Sequence, residues 1–216
     1  MNAREEILGR IHNGLVDVVQ LDPVLDVAVD WEYGRATAMP DVLQRFVEMT
    51  EDYRADVRRA PAAEVAGLVA AMLTGVGVGS VVLPAGLDAG WREAIAAAGI
   101  TVHDDDPQLS RQELNGIDAV VTAAAVGIAE TGTIVLDHAA DQGRRALTLV
   151  PDTHLCVVRA DQVVSDVPEA VGRLTAAVTA GNPLTWISGP SATSDIELSR
   201  VEGVHGPRTL LVVLAE

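Results

Sequence analysis

The segment Ser188–Glu197 gathers small, hydroxyl-bearing and acidic residues directly after an apolar run, residues 184–187, that is typical of a buried strand. A predicted helix begins at Ile196. A loop of this kind before a helix presents backbone N–H groups and side-chain oxygens at one point, where an anion or a small molecule can bind. Helix capping alone is the other interpretation, because Ser194 and Glu197 fit the capping box. The ligand-binding candidates in this loop are Ser191, Thr193, Ser194 and Asp195.

The segment Gly127–Thr133 places a single carboxylate between two apolar runs that predict strands. Glu130 therefore stands at a strand end, which is where open α/β sheets bind their ligands. A carboxylate in that position can act as a base, as a nucleophile or as a group that orients a ligand. An exposed hairpin residue is the alternative. Glu130 is the catalytic candidate, and its ligand-binding neighbours are Thr131, Gly132 and Thr133.

Charged residues also stand where other predicted strands begin or end. Arginine grips a carboxylate or a phosphate in a bidentate fork, and a histidine there serves as a base, as a ligand or as a capping residue. The spacing of the histidines and carboxylates does not by itself bring metal ligands together, so we predict no metal site. The further ligand-binding candidates are Asp137, Arg144, Arg145, His154 and His205.

The residue types that the chain lacks exclude several kinds of chemistry. All 15 basic side chains are arginine, which excludes a Schiff-base lysine and a P-loop lysine. The only cysteine, Cys156, excludes an internal disulfide and a cysteine-ligated cluster within this chain. Because Cys156 lies in an apolar run, we interpret it as a small buried side chain rather than a nucleophile. The segment Gly75–Ser80 follows a predicted helix and opens a strand, which is typical of a helix C-terminus and not of a dinucleotide-binding loop.

Charge and composition bear on the partners. The formal net charge is −16, which argues against nucleic acid and against anionic membranes. Aromatic residues make up 3% of the chain, too few for a platform that stacks bases. Residues 1–6 lack the apolar core of a signal peptide, and no apolar run reaches the length of a membrane span. We therefore expect a cytoplasmic protein that binds neither nucleic acid nor membrane.

Short apolar runs alternate with amphipathic segments from residue 55 onward, which predicts an α/β domain over residues 55–216. The order of the elements predicts one Rossmann-like sheet, mixed but mostly parallel, with helices on both faces. Residues 1–54 predict an N-terminal helical segment that packs on this domain, with one helix from about residue 4 to 19 and another that Asp41 caps. The predicted strands are residues 55–58, 80–84, 100–102, 119–124, 133–136, 146–150, 155–158, 185–187 and 210–214.

Four separate motifs together carry a family resemblance. In their sequence and in their order, these motifs resemble the LUD-domain family. They are residues 127–133, 150–154, 189–197 and 203–207. The most similar group within it is the lactate utilization protein C (YkgG-like) type. The resemblance covers about residue 55 to the end, and it implies a fold similar to the sugar-phosphate isomerase and CoA-transferase (NagB/RpiA/CoA transferase-like) superfamily.

The resemblance also implies a function. Such proteins act in bacterial L-lactate use, together with iron–sulfur partner proteins that oxidise lactate to pyruvate. Because this chain has one cysteine, it needs no cofactor of its own in that system, and the iron–sulfur clusters are expected on the partners. The expected ligand is a small carboxylate or a related metabolite. We call residues 127–133, which contain Glu130, the Glu130 loop. The pocket is expected between this loop and residues 191–195, with Arg144 or Arg145 as the cation that binds the carboxylate.

Two other functions remain open at this point. The superfamily uses a glutamate in a similar loop as a covalent nucleophile, so the chain is alternatively a stand-alone acyl- or CoA-transferring enzyme that uses Glu130. It is also alternatively a non-catalytic assembly module of the same system.

Overall fold

The computed structural model describes residues 2–18, 36–193, 201–202 and 206–216, with the backbone alone at 192–193 and 201–202. The chain divides into two compact units, residues 1–33 and 34–216. In the first unit, helix α1 spans Ala3–Gly14 and begins with a capping box between Asn2 and Glu5. This helix ends before residue 19, where the sequence pattern had placed its end. No helix in the described parts of the chain is long and apolar enough to cross a membrane.

The second unit contains the remaining described elements. Its helices are α2 (Val42–Asp52), α3 (Val65–Gly75), α4 (Ala89–Ala97), α5 (Arg111–Asn115) and α6 (Val167–Thr179), with 3-10 turns at Ala62–Glu64, Arg145–Thr148 and Ala160–Gln162. Its strands are β1 (Asp56–Ala60), β2 (Ser80–Leu83), β3 (Thr101–Asp104), β4 (Ala119–Ala123), β5 (Val126–Ile128), β6 (Thr133–Leu136), β7 (Thr153–Arg159), β8 (Val163–Val164), β9 (Thr185–Ile187), β10 (Ala192–Thr193), β11 (Val201–Glu202) and β12 (Thr209–Ala215).

Six strands form a main sheet in the order β1-β12-β7-β4-β2-β3, and every neighbouring pair is parallel. A parallel strand covered on both faces must be apolar along its whole length. This requirement explains why β4 is buried at all of its positions, and why the apolar runs of β4, β7 and β12 were recognisable as strands in the sequence.

A second sheet contains four strands in the order β8-β5-β6-β9. The pairs β5–β6 and β6–β9 are antiparallel, and the pair β5–β8 is parallel. The expectation of one mixed sheet is therefore corrected to a parallel sheet and a separate mixed sheet. The tight turn at residues 129–132 explains the difference, because it returns β6 directly alongside β5.

The two faces of the main sheet are covered differently. Helices α3 and α4 cover one face, where Leu73 and Ile95 lie in its core. The other face packs against helix α2 and the second sheet, with Phe46 and Cys156 in one buried cluster. Helix α6 covers the outer face of the second sheet through residues such as Leu174. Helices therefore lie on both faces, as predicted, but the second sheet shares the second face with helix α2.

Two local predictions had different outcomes. The run at residues 146–150, predicted as a strand, is instead a 3-10 turn that buries Leu147. This correction has a physical reason: β7 pairs with β4 and β12 on its two sides, so the main sheet has no edge for another strand at this point. The predicted start of a helix at Ile196 lies outside the described residues.

The turn between β5 and β6 requires a glycine at position 132, and this requirement can be tested. Its φ of +57° is left-handed, and an added Cβ would lie 2.4 Å from the carbonyl carbon of Met49 at the end of α2. Gly181 is the matched control, because its φ of +80° is equally left-handed but nothing lies within 4 Å of an added Cβ. We expect Gly181→Ala to cost about 1 kcal/mol from backbone strain, and Gly132→Ala to cost at least about 2 kcal/mol more from the clash.

Urea unfolding of the two variants measures this difference through the transition midpoint. Equal losses of stability in the two variants would contradict the close approach of the turn to α2.

Candidate functional site

A cavity of about 250 Å³ lies beside the amino ends of β7 and β12, next to β9 and the loop that follows it. His154 and Leu210, the second residues of β7 and β12, form part of its wall together with Trp186. We call this space the Arg145 cavity. Its polar lining residues are Arg145, Thr148, His154, Thr185, Ser188 and Ser191.

Arg145 is the cation of this cavity, and a chain of hydrogen bonds holds it in place. Its guanidinium donates to Oγ1 of Thr185. The Thr185 hydroxyl lies 2.8 Å from Nε2 of His138, whose Nδ1 lies 2.8 Å from the carbonyl oxygen of Gly143. Because a carbonyl oxygen only accepts, Nδ1 donates to it, and Nε2 of the neutral ring accepts from Thr185. The chain therefore orients Thr185 so that its oxygen faces the guanidinium.

The charge of Arg145 has no counter-ion in the described structure. No carboxylate among the described residues forms an ion pair with it. Most of its N–H donors remain for a ligand, since one hydrogen bond to Thr185 uses a single donor. A cation next to hydroxyl groups is suited to bind a small anion through charge-assisted hydrogen bonds.

His154 is the most deeply buried of the polar residues described in the cavity wall. Its side chain is 1% exposed, and Nε2 lies 2.8 Å from Oγ1 of Thr122 on the neighbouring strand β4. Burial lowers the pKa of His154 to about 4. The ring is therefore neutral at physiological pH, and it contributes hydrogen bonding to the cavity rather than charge.

The Glu130 loop reaches the cavity through hydroxyl groups only. Thr131 donates to Thr133 over 2.8 Å, and the Thr133 hydroxyl lies 2.8 Å from the Ser188 hydroxyl, which lines the cavity. The carboxylate of Glu130 is exposed and is not part of the cavity wall. Gly132 is buried in the turn. The catalytic role of Glu130 stays a prediction, but the structure does not bring its side chain to Arg145.

Arg144 has a different environment from its neighbour. It donates to both carboxylate oxygens of Asp105, over 2.7 and 2.8 Å, and also to the carbonyl oxygen of Leu109. Hydrogen bonding from Arg144 holds the pKa of Asp105 below its usual range. Arg144 lines another cavity, of about 520 Å³, at the carboxyl ends of β2 and β3. Of the two predicted cations, only Arg145 lines the Arg145 cavity.

The other predicted site residues fall into three groups. Ser191 lines the cavity, and its backbone N–H donates to the carbonyl oxygen of Pro207 over 2.8 Å. Asp137 accepts from the N–H of Ala139 and shapes a turn outside the cavity. The backbone of Thr193 belongs to β10, which pairs with β11, and its side chain is not described. The residues that lie outside the described structure are Ser194, Asp195 and His205.

Sequence reasoning missed Thr122, Thr148 and Thr185 as contributors to the site. Thr122 and Thr185 lie within apolar strand runs, where a buried hydroxyl needs a partner. That need was the available signal, although it does not identify the partner. Burial raises the pKa of the Cys156 thiol to about 12. The thiol is therefore a poor nucleophile at neutral pH, in agreement with the interpretation of Cys156 as a small buried side chain.

Comparisons with known proteins identify relatives of the chain. A family model described as LUD domain matches residues 43–215. Lactate utilization protein C of Deinococcus radiodurans is 52% identical over 174 residues, which are 81% of this chain and 79% of that protein. Lactate utilization protein C of Geobacillus kaustophilus is 29% identical over 82% of this chain and 79% of its own length. A crystal structure of a DUF162 family protein from Deinococcus radiodurans superposes with a TM-score of 0.70, at 45% identity, covering 81% of this chain and 96% of that one.

The buried ring of His154 predicts acid sensitivity. Its pKa is about 4 in the folded protein and about 6.5 in the unfolded chain, so the unfolded chain takes up a proton first as the pH falls. The stabilising contribution is complete above about pH 6.5 and is lost as the pH falls towards 4, at a total cost of about 3 kcal/mol. We expect the Tm of His154→Gln to decrease less than that of the wild type over this pH window.

The control is His12→Gln, which removes an exposed histidine of α1. It is expected to follow the wild-type profile in thermal unfolding. A Tm that decreases with pH to the same extent in all three proteins would contradict the assignment to His154.

Proposed function

Because the chain belongs to the LUD domain family, we propose that it is a component of a bacterial lactate-utilization system. In this proposal it acts in the cytoplasm with iron–sulfur partner proteins in the oxidation of L-lactate to pyruvate. The names of relatives that are 52% and 29% identical support the role in lactate utilization. The parallel main sheet supports the further proposal that the fold is related to the sugar-phosphate isomerase and CoA-transferase superfamily.

We propose that the Arg145 cavity binds the carboxylate of the metabolite. The observation that carries this proposal is that Arg145 lines the cavity with no counter-ion among the residues that the structure describes. The hydroxyl group of Ser188 also lines the cavity and offers a further hydrogen bond. At about 250 Å³ the cavity is smaller than the sites that hold drug-sized ligands. Its size therefore favours an acid of a few heavy atoms over a nucleotide or a coenzyme.

The proposed system divides its tasks between the chains. Oxidation of lactate to pyruvate removes an electron pair and two protons from the acid, and the proposed acceptors of the electrons are the clusters of the partner proteins. With one cysteine, which is buried, this chain has no set of thiolates for a cluster. Its own task in the proposal is to bind and orient the small acid.

A second candidate function is acyl or CoA transfer with Glu130 as the nucleophile. The exposure of this carboxylate favours it, because a bulky thioester can approach a group on the surface. In that reaction the carboxylate attacks the thioester carbonyl, the C–S bond breaks and the thiolate leaves. Hydroxylamine would then convert the resulting acyl-Glu130 anhydride into a hydroxamate that mass spectrometry detects. An unmodified Glu130 across a panel of acyl-CoA thioesters would count against this candidate.

The carboxylate proposal predicts a loss of affinity in Arg145→Ala. Removal of a charge-assisted hydrogen bond costs roughly 1.5–3 kcal/mol, so the Kd for L-lactate or pyruvate is expected to rise about tenfold or more. Arg111→Ala is the matched control, because Arg111 is exposed like Arg145 but lies on α5 outside the cavity. Isothermal calorimetry measures the three Kd values. Equal affinities in Arg145→Ala and Arg111→Ala would contradict the proposed role of Arg145.

Growth tests distinguish the three candidate functions. A strain that lacks the gene is complemented with wild type, Arg145→Ala, Arg111→Ala or Glu130→Ala and grown on L-lactate or on glucose. The proposed function predicts that only Arg145→Ala fails, and only on L-lactate, while iron–sulfur proteins still co-purify with it. Failure of Glu130→Ala alone would favour the acyl-transfer enzyme. Normal growth of both site variants would favour an assembly module.

A further inference from the structure

We infer that His138, which does not line the Arg145 cavity, is a positioning residue for the carboxylate-binding cation. It fixes the direction of the Thr185 hydroxyl, and through that hydroxyl it holds the guanidinium of Arg145. This role rests on the proposed function of Arg145. It adds a residue outside the cavity on which the affinity for a small carboxylate depends, and it assigns that dependence to one nitrogen of the ring.

The backbone at His138 is the first observation. The residue lies between β6 and the 3-10 turn that begins with Arg145, and its φ of +59° is left-handed. Residues other than glycine adopt this conformation at a cost, and such residues cluster at functional sites. The buried side chain of Gln142 stabilises it, because its Oε1 accepts from the N–H groups of Asp137 and His138 over 2.7 and 3.1 Å. The fold thus maintains a costly conformation that brings the ring to Thr185 on β9.

Both nitrogens of the His138 ring have protein partners, and the first partner decides the role of the second. The carbonyl oxygen of Gly143 only accepts, so Nδ1 carries a hydrogen. In the neutral ring Nε2 then has a lone pair and no hydrogen, so the Thr185 hydroxyl donates to it over 2.8 Å. A hydroxyl has a single hydrogen, which is thereby committed to the ring. The oxygen of Thr185 remains to accept from Arg145.

Thr185 transmits the effect of the ring to the cavity. It is 8% exposed and forms part of the cavity wall. Without an acceptor at the Nε2 position, its hydroxyl is free to turn its hydrogen towards the guanidinium, where two donors would face each other. The side chain of Arg145 is long and rich in rotamers, so a fixed acceptor reduces the entropy that is lost when a ligand binds. His138 therefore raises the affinity by holding the cation in place before the ligand arrives.

Two substitutions separate the two nitrogens of the ring. His138→Asn keeps an amide donor at the Nδ1 position for Gly143 and suits the left-handed backbone, but it does not reach Thr185. We expect its Kd for L-lactate and for pyruvate to rise about three- to tenfold, the worth of one hydrogen bond. His138→Gln offers an amide oxygen near the Nε2 position and loses the bond to Gly143. It should restore most of the affinity and have the lower Tm of the two variants.

Calorimetric titrations and thermal unfolding of both variants test this pattern. A merely structural role would rank the two variants in the same order in Kd and in Tm, and that result would overturn the role of His138. In the Arg145→Ala background, His138→Asn should have no further effect on Kd, because it acts only through the guanidinium. His103→Asn, the same substitution on β3, is the matched control, since His103 lines neither of the two cavities. It should bind both acids as the wild type does.

The outcomes also separate the role of His138 from the proposed function. If Arg145→Ala weakens binding of the two acids and His138→Asn does not, the role of His138 is overturned and that of Arg145 stands. If Arg145→Ala has no effect, or if neither acid binds to the wild type, both are overturned.

A spectroscopic test needs no ligand. The ¹⁵N chemical shifts of the His138 ring at pH 8 report which nitrogen carries the hydrogen, and we expect a protonated Nδ1 and an unprotonated Nε2. Thr185→Val removes the donor and should move the Nε2 resonance, whereas Thr185→Ser should leave it close to its wild-type position. A hydrogen on Nε2 in the wild type, or an Nε2 resonance that does not move in Thr185→Val, would contradict the role of His138.

Discussion

The buried pairing of β4 with β7 is the constraint on which the rest of the site depends. Their register places Val120 beside His154 and Thr122 beside Cys156, in the layer between the two sheets. Polar groups enclosed in this way must bond to one another, because unpaired groups are costly away from water. Thr122 satisfies both the ring of His154 and the thiol of Cys156. The two strands thereby hold a histidine rigidly at the wall of a cavity.

The position of the cavity follows from the layering of the fold. Open α/β sheets usually bind ligands at the carboxyl ends of their strands, whereas the Arg145 cavity lies at the amino ends of β7 and β12. The second sheet lies over this end of the face, and its edge strand β9 supplies part of the wall. The carboxyl ends of β2 and β3 do border a larger cavity. In that cavity both arginines already have a carboxylate partner: Arg144 pairs with Asp105, and Arg92 pairs with Asp104.

The strands were largely predictable from the sequence, and the residue contacts of the site were not. A parallel strand enclosed on both faces must be apolar throughout, so β4, β7 and β12 could be recognised as continuous runs. An apolar run does not indicate which strand it pairs with. For this reason β5 and β6 could not be assigned to a second sheet from the sequence. The same reasoning failed at residues 146–150, where an apolar run fills the core as a turn. Arg144 and Arg145 are equivalent in the sequence and differ entirely in their partners.

By itself, the sequence determined which chemistry is available to this protein. With no lysine and a single cysteine, it leaves arginine as the cation for an anionic ligand, and it excludes a cluster held entirely by cysteines of this chain. Its motifs also identified the family. Only the tertiary structure decided which arginine lines the cavity, that His154 is buried in its wall, and that Glu130 stays on the surface. The physical reason is that these outcomes depend on hydrogen bonds between residues far apart in the chain, such as Arg145 with Thr185 and His154 with Thr122.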